Sequence, residues 1–274
     1  MEHTALSTVG LFDERPMAGH IGVEVHGIDV LSLDDRQVAE LRRLWLDNLI
    51  VVFVGQDHVD RNGLASFAGR FGPLYRHPLM MTEQSDPVHA INIPAGGYWH
   101  SDVTFAPRPP MATMLHAQTL PPKGGDTLWA NMYLAYESLS APMRSFLDGL
   151  SAVHDLRKSL EYSYRGGSGP EDGQQVLTRY PPTVHPVVRV HPFTGRKALF
   201  VNRHHTVRIL ELSDRENEAL LPLLFDHVGN PEFQFRTPWK KDWIAVWDNW
   251  STQHLGVPDY HSRRLMQRIG IAHV

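Results

Sequence analysis

The chain has no cysteine among its 274 residues. Disulfide bridges and thiolate metal sites are therefore excluded, and any metal must be held by nitrogen and oxygen. It has no apolar run near the roughly 18 residues of a membrane span, and its first residues lack the basic-then-apolar pattern of a secretory signal. The expectation is a cytoplasmic protein without a membrane partner. Excess positive charge is also missing: 26 Lys and Arg stand against 30 Asp and Glu, a formal net charge of −4. That balance argues against a nucleic-acid partner, which calls for a basic stripe. No internal repeat or low-complexity tract is visible, and no shift in composition marks a boundary. Residues 1–274 are read as a single domain, long enough to bury a core without covalent staples.

What is present is short and β-rich. Apolar runs at Leu49 to Val54, Met111 to Ala117, Val187 to Val190, Ala198 to Val201, Trp243 to Trp247 and Leu265 to Ile271 are bounded by Gly, Pro, Asn and Asp, as strands are. Helical spacing follows Asp60, at Leu64, Phe67, Ala68 and Phe71. It recurs at Met143, Phe146, Leu147 and Leu150 behind Ser140 and Pro142. Ser213 with Glu216 forms a capping box ahead of Leu220, Leu223 and Leu224. The pattern predicts a β-rich α+β chain with helices outside the sheet, a double-sheet jelly roll being one option among several. Tyr162 to Tyr180 is rich in glycine and poor in apolar residues, which predicts a surface loop at about 160–180.

The chemistry is concentrated in Gly-Gly-Tyr-Trp-His100-Ser101-Asp102-Val-Thr-Phe. In an extended run His100 and Asp102 would project from one face while Ser101 points opposite. His254, in Trp-Asp-Asn-Trp-Ser-Thr-Gln-His, would complete a two-histidine, one-carboxylate face of the kind that leaves three positions open on non-haem Fe(II). Alone, a His-X-Asp pair is ordinary in a chain with 17 histidines. Downstream of His254, however, Arg264, Met266 and Arg268 alternate onto one face of a strand. Two inward guanidinium groups require anions, since unpaired buried charge is costly. A dicarboxylate cosubstrate and an anionic substrate would supply them.

Four segments in order, Trp99 to Phe105, Gly124-Gly125-Asp126-Thr127-Leu128-Trp129, Trp247-Asp248-Asn249 through Gln253-His254, and Arg263 to Arg268, closely resemble the taurine dioxygenase (TauD/TfdA) family. The resemblance extends to His20 to Val25 and His185 to Arg189, so it spans nearly the whole chain. It implies a double-stranded β-helix of the jelly-roll or cupin-like kind, with Fe(II) held by His100, Asp102 and His254. Also implied are 2-oxoglutarate as cosubstrate, its distal carboxylate bound by Thr127 and Arg264, and dioxygen as oxidant. Arg268, His77 and Ser159 match substrate-contacting positions. The family's residues are missing at four lining positions: Gly96 replaces an asparagine, Met80 a tyrosine, and Leu160 and His205 phenylalanines. A roomier, less polar pocket follows, and taurine is not the expected substrate.

The resemblance thus implies hydroxylation of a small organic anion, a sulfonate or alkyl sulfate, with release of succinate and CO2. The 160–180 segment would then lie over the active site. The chain is expected to work as a homo-oligomer. Alternatives are an oxygenase acting on a carboxylate, a non-oxidative cupin-like protein that binds a metal and an anion, and a Zn(II) hydrolase using the same ligands. The hydrolase would need a positioned general base, and no His-Glu-X-X-His segment is present.

Overall fold

The computed structural model describes residues 11–79, 86–91, 97–164 and 177–273. Its main sheet runs in the order Asp13–Pro16, Val23–His26, Ile50–Phe53, Ile244–Asp248, Ala112–Thr119, Leu265–Ile271 and Leu74–Tyr75, with His89–Ile91 also paired to Leu265–Ile271. All these neighbours are antiparallel except Val23–His26 with Ile50–Phe53. A second sheet, Gln234–Thr237, Thr127–Asn131 and Thr252–Gly256, packs across its face. Strands of non-consecutive order in two facing sheets make the jelly roll. A third sheet, Thr206–Ile209, Ser151–His154 and Thr183–Pro186, flanks this core.

Strand alternation divides the main sheet into two surfaces. Val51, Phe53, Ile244, Val246, Met114, Ile269 and Ile271 face helices Asp35–Asn48 and Arg61–Gly69, where they meet Leu41, Trp45, Phe67 and Phe71. Phe53, Phe67 and Phe71 stack edge to face at 5.0 and 5.4 Å. Ile50, Val52, Leu115, Ala117, Ala245, Trp247 and Met266 face the second sheet and meet Trp129 and Ala130. The back of the main sheet is thus closed by helices, and its front lines the interior where the polar residues gather.

The helices are set by their caps. Asp60 accepts from the Gly63 amide, Ser140 caps Ala141–Leu147, and Ser213 with Glu216 forms the reciprocal box that starts Asp214–His227. Phe146 and Leu223 depart from expectation: they are 48% and 50% exposed, while Leu147 and Leu224 take the inward positions. Helix Leu156–Tyr164 occupies ground read from sequence as the start of a loop, because Asp155 caps Arg157 and Leu156 and Leu160 are buried. Residues 165–176 of that loop and the lining positions Met80 and Gly96 lie outside the described residues. No helix among the described residues is long and apolar enough to cross a membrane.

Candidate active site

His100 and His254 are neighbours because their backbones pair. The amide of each donates to the carbonyl of the other, at 3.1 and 2.8 Å, in an antiparallel bridge. Directly opposed residues share a face, so the imidazoles lie side by side with centroids 4.2 Å apart. Asp102 arrives differently from the extended run expected. The chain turns at Asp102, and Val103 takes a left-handed φ of 56°, a strained choice for a β-branched residue. Asn249 holds that turn from across the fold: its Oδ1 accepts from the Asp102 amide at 2.6 Å and its Nδ2 donates to the Asp102 carbonyl at 3.0 Å. Ser101 points away and donates to the Thr252 carbonyl.

The three side chains converge all the same. Asp102 Oδ1 is 4.0 Å from His100 Nε2 and 3.9 Å from His254 Nε2. Thr113 donates to the other carboxylate oxygen at 2.7 Å, fixing the rotation of the group. His100 Nδ1 lies 2.9 Å from the Tyr98 carbonyl and so carries the proton, which leaves Nε2 as a lone pair. Burial keeps both imidazoles neutral, with His254 pulled down to about 3. Burial opposes ionisation of Asp102, but the Arg268 guanidinium outweighs it and holds the carboxyl far below the ordinary range. Two neutral imidazoles and one carboxylate, all buried and with one ligand atom each within 4.8 Å of the others, fit an N2O metal face. Among the described residues this is the one such cluster of histidine and acidic groups.

A second constellation lies at the Gly124-Gly125 turn. Both glycines have positive φ, and the Gly125 amide donates to Asp259 at 2.7 Å. A side chain at Gly125 would come within 3.2 Å of Arg264 Cδ and Nε, so the arginine stem lies directly on the turn. Arg264 is 6% exposed. Its Nε has no hydrogen-bond partner and no carboxylate lies within ion-pair distance among the described residues. Burial lowers its pKa, opposed chiefly by the Tyr260 phenol. Thr127, two residues past Gly125 and buried, accepts from Trp239 Nε1 at 2.9 Å, leaving its own proton to donate.

Of the remaining expected site residues, Arg268, His77 and His205 lie within electrostatic reach of Asp102. Arg268 Nη2 lies 2.7 Å from Asp102 Oδ1. His77 accepts from the Leu79 amide at Nδ1, which makes Nε2 its donor, and burial with Arg268 nearby holds it well below its usual pKa. Ser159 is buried, and its hydroxyl donates back to the Leu156 carbonyl. His205 is buried between Phe105 and His204, with Nδ1 3.2 Å from Thr104 Oγ1. Leu160 joins Val103, Phe105, Ala106 and Leu156 in a separate apolar cluster edged by Tyr75, Leu79, Leu177 and Tyr180. Three contributors escaped the sequence reading: Thr113, Asn249 and Trp239. Only the Trp-Asp-Asn run ahead of His254 pointed to one of them.

Residues 13–269 match the family model for taurine catabolism dioxygenase TauD, TfdA family. The chain belongs to the TauD/TfdA family of dioxygenases. An alkylsulfatase from Acinetobacter baylyi is 35% identical over 94% of this chain and 84% of that protein. An alpha-ketoglutarate-dependent sulfate ester dioxygenase from Pseudomonas putida is 33% identical over 99% of this chain and 94% of its own. The crystal structure of a taurine dioxygenase from Burkholderia xenovorans superposes with a TM-score of 0.80 at 35% identity, covering 96% of this chain and 90% of that one. Family membership brings the reaction class: an Fe(II)- and 2-oxoglutarate-dependent dioxygenase consuming dioxygen.

Proposed function

We propose that this dioxygenase hydroxylates a small organic anion with an apolar tail, an alkyl sulfate or sulfonate, with release of succinate and CO2. One observation carries the substrate reading. Arg268, buried at the Asp102 carboxylate, lies close to Tyr75, which edges the apolar cluster of Val103, Phe105, Ala106, Leu156 and Leu160. A cation beside an apolar wall matches a charged head on a hydrocarbon chain better than it matches taurine, whose far end is an ammonium. The names of the alkylsulfatase and sulfate ester dioxygenase relatives support the same class.

In this reading His100, Asp102 and His254 hold Fe(II), which with 2-oxoglutarate and dioxygen supplies the oxidising power to break a C–H bond. Thr113 and Asn249 keep the carboxylate aimed. Arg264 offers a planar fork to the distal carboxylate of 2-oxoglutarate, and the Thr127 hydroxyl adds a third donor. Arg268 and His77 hold the substrate anion, so the carbon next to the head group is the one presented for oxidation. Ser159 and His205 shape the wall. A hydroxyl placed on the carbon bearing a sulfate ester gives an adduct that collapses to an aldehyde and hydrogen sulfate; a sulfonate yields aldehyde and bisulfite. Water-poor surroundings keep Arg268 effective, because its charge is little screened.

The test is succinate release above the uncoupled background across alkyl sulfates, alkanesulfonates, carboxylates and taurine. Six- to ten-carbon sulfates or sulfonates are expected to give higher kcat/KM than taurine. Taurine outcompeting every longer anion would sink the substrate assignment.

A further inference from the structure

His89 belongs to neither the metal set nor the residues matched to substrate, yet it stands beside both. Strand His89–Ile91 pairs with Leu265–Ile271 in the register Arg268 to His89 and Met266 to Ile91. Directly opposed residues share a face, so His89 projects inward with Arg268 while Ala90 is exposed. Its Nε2 lies 3.5 Å from Arg268 Nη1, at the far limit of a hydrogen bond. His77 lies on its other side, the two rings 5.8 Å apart and inclined by 62°. His89 Nδ1 is buried without a hydrogen-bond partner among the described residues, the Pro87 carbonyl being the backbone acceptor in its vicinity. The Pro87 carbonyl and the Arg268 donor favour the proton on Nδ1 when no anion is bound, with no strict hydrogen bond holding it there.

We propose that His89 is a third ligand of the substrate anion, and that with Arg268 and His77 it selects a three-oxygen head group over a two-oxygen one. The proposal rests on Arg268 binding the substrate anion. A guanidinium places its donors in one plane and satisfies both oxygens of a carboxylate there. The third terminal oxygen of a sulfate or sulfonate lies out of that plane and needs a donor from elsewhere. His89, with Nε2 3.5 Å from Nη1, and His77 beyond it offer donors that are not part of the guanidinium fork. Burial and the neighbouring Arg268 bring the His89 pKa down to about 4, which leaves a neutral ring. Such a ring tolerates the guanidinium through its lone pair when no anion is present. Through the other tautomer it presents an N–H when an anion docks. A site built around a hydrogen bond to the third oxygen should discriminate against a head group that lacks it.

Anaerobic calorimetry of the Fe(II)- and 2-oxoglutarate-loaded protein with hexyl sulfate and heptanoate separates the possibilities without requiring turnover. His89→Leu is expected to weaken hexyl sulfate by about tenfold or more, the scale of a lost hydrogen bond to a charged group, and heptanoate by no more than about twofold. His89→Gln, which keeps an N–H, should recover part of the sulfate affinity. Both variants should retain the wild-type charge-transfer band of the loaded protein, which reports the metal and 2-oxoglutarate sites independently. Equal weakening of both anions, or no weakening of hexyl sulfate in either variant, overturns the role of His89. Arg268→Ala is the control for the underlying reading: unchanged affinity for both anions in that variant means the anion does not bind there at all.

Discussion

Arg264→Met is expected to make the protein more stable and nearly blind to 2-oxoglutarate. The methionine keeps an unbranched stem against Gly125 and removes a charge that is 6% exposed and has no carboxylate within ion-pair distance among the described residues. Asp126, whose charge reaches it, is already held by Arg236 at 2.6 Å. Replacing poorly compensated buried charge by apolar volume is commonly stabilising by about 1–4 kcal/mol. Without cosubstrate, the metal-loaded variant should therefore melt about 2 °C or more above wild type, given roughly 2 °C per kcal/mol for a chain of this size.

With cosubstrate the gap narrows by about 2.3 kcal/mol, and the order reverses where the ligand-free gain is smaller than that. Losing a charge-assisted fork costs on the order of 3 kcal/mol, or about a hundredfold in affinity. At a concentration of 2-oxoglutarate a hundred times its wild-type Kd, wild type gains about 2.7 kcal/mol and about 5 °C, whereas the variant gains only about 0.4 kcal/mol and under 1 °C. Differential scanning fluorimetry of the Mn(II)-loaded proteins across a 2-oxoglutarate series should show wild type gaining about 4 °C on the variant. A variant that is less stable without 2-oxoglutarate yet keeps the full ligand-induced shift would show Arg264 to be a structural cation.

Thr113→Val removes the donor to Asp102 Oδ2 at nearly constant volume, and should weaken Fe(II) about 10- to 100-fold in a competition titration while leaving the KM for 2-oxoglutarate little changed at saturating metal. Trp239→Phe deletes the indole N–H that orients the Thr127 hydroxyl, and is expected to raise the KM for 2-oxoglutarate about 2- to 10-fold with the substrate KM unmoved; equal shifts in both would indicate general loosening. Burial holds His154 and His205 well below, and His204 and His254 near 3, against an ordinary value of 6.5. The unfolded chain therefore binds more protons below pH 6.5, and the apoprotein loses stability as pH falls from 6.5 toward 3, each such histidine costing about 1 kcal/mol between pH 6.5 and 5.5; a urea midpoint unchanged between pH 7.5 and 5.5 would refute this.

The parts of the molecule legible in sequence are those where one face is uniformly apolar. Strands 244–248 and 265–271 were readable because both surfaces of the main sheet bury Ile, Val, Met or Trp. Strands 127–131 and 252–256 were not, because their inner face carries Thr127, Asn131, Thr252 and His254, the polar residues of the interior itself. A site built on a strand erases the pattern that would announce the strand. Helix 35–48 is hard to read from sequence although Asp34 and Gln37 form its capping box and Val38, Leu41, Leu44 and Trp45 its buried stripe, because six charged residues in it obscure the periodicity. The His100 and Asp102 pair was legible as chemistry but not as geometry, since the turn at Asp102 is imposed by Asn249 from 147 residues away. His89 carries no local signal, and only its register opposite Arg268 brings it to the anion end.

The division of the main sheet explains how buried charge is tolerated at all. Along strand 265–271, Arg268 faces the interior while Ile269 and Ile271, on the opposite side of the pleat, are buried in the helix-backed cluster with Phe67 and Phe71. The apolar anchors and the cation belong to the same few residues, so the energy that fixes the backbone is gathered behind the sheet and the chemistry is displayed in front of it. The same holds for strand 112–119, where Ala112 and Met114 are anchored behind and Thr113 reaches Asp102 in front. Alternation by single residues then transmits the rigidity of an edge-to-face aromatic cluster to the carboxylate and the guanidinium without any side chain of the cluster entering the site. Substitutions that loosen this backing would reach the metal ligands through the backbone, whereas substitutions on the inner face can retune the anion site and leave the anchor intact.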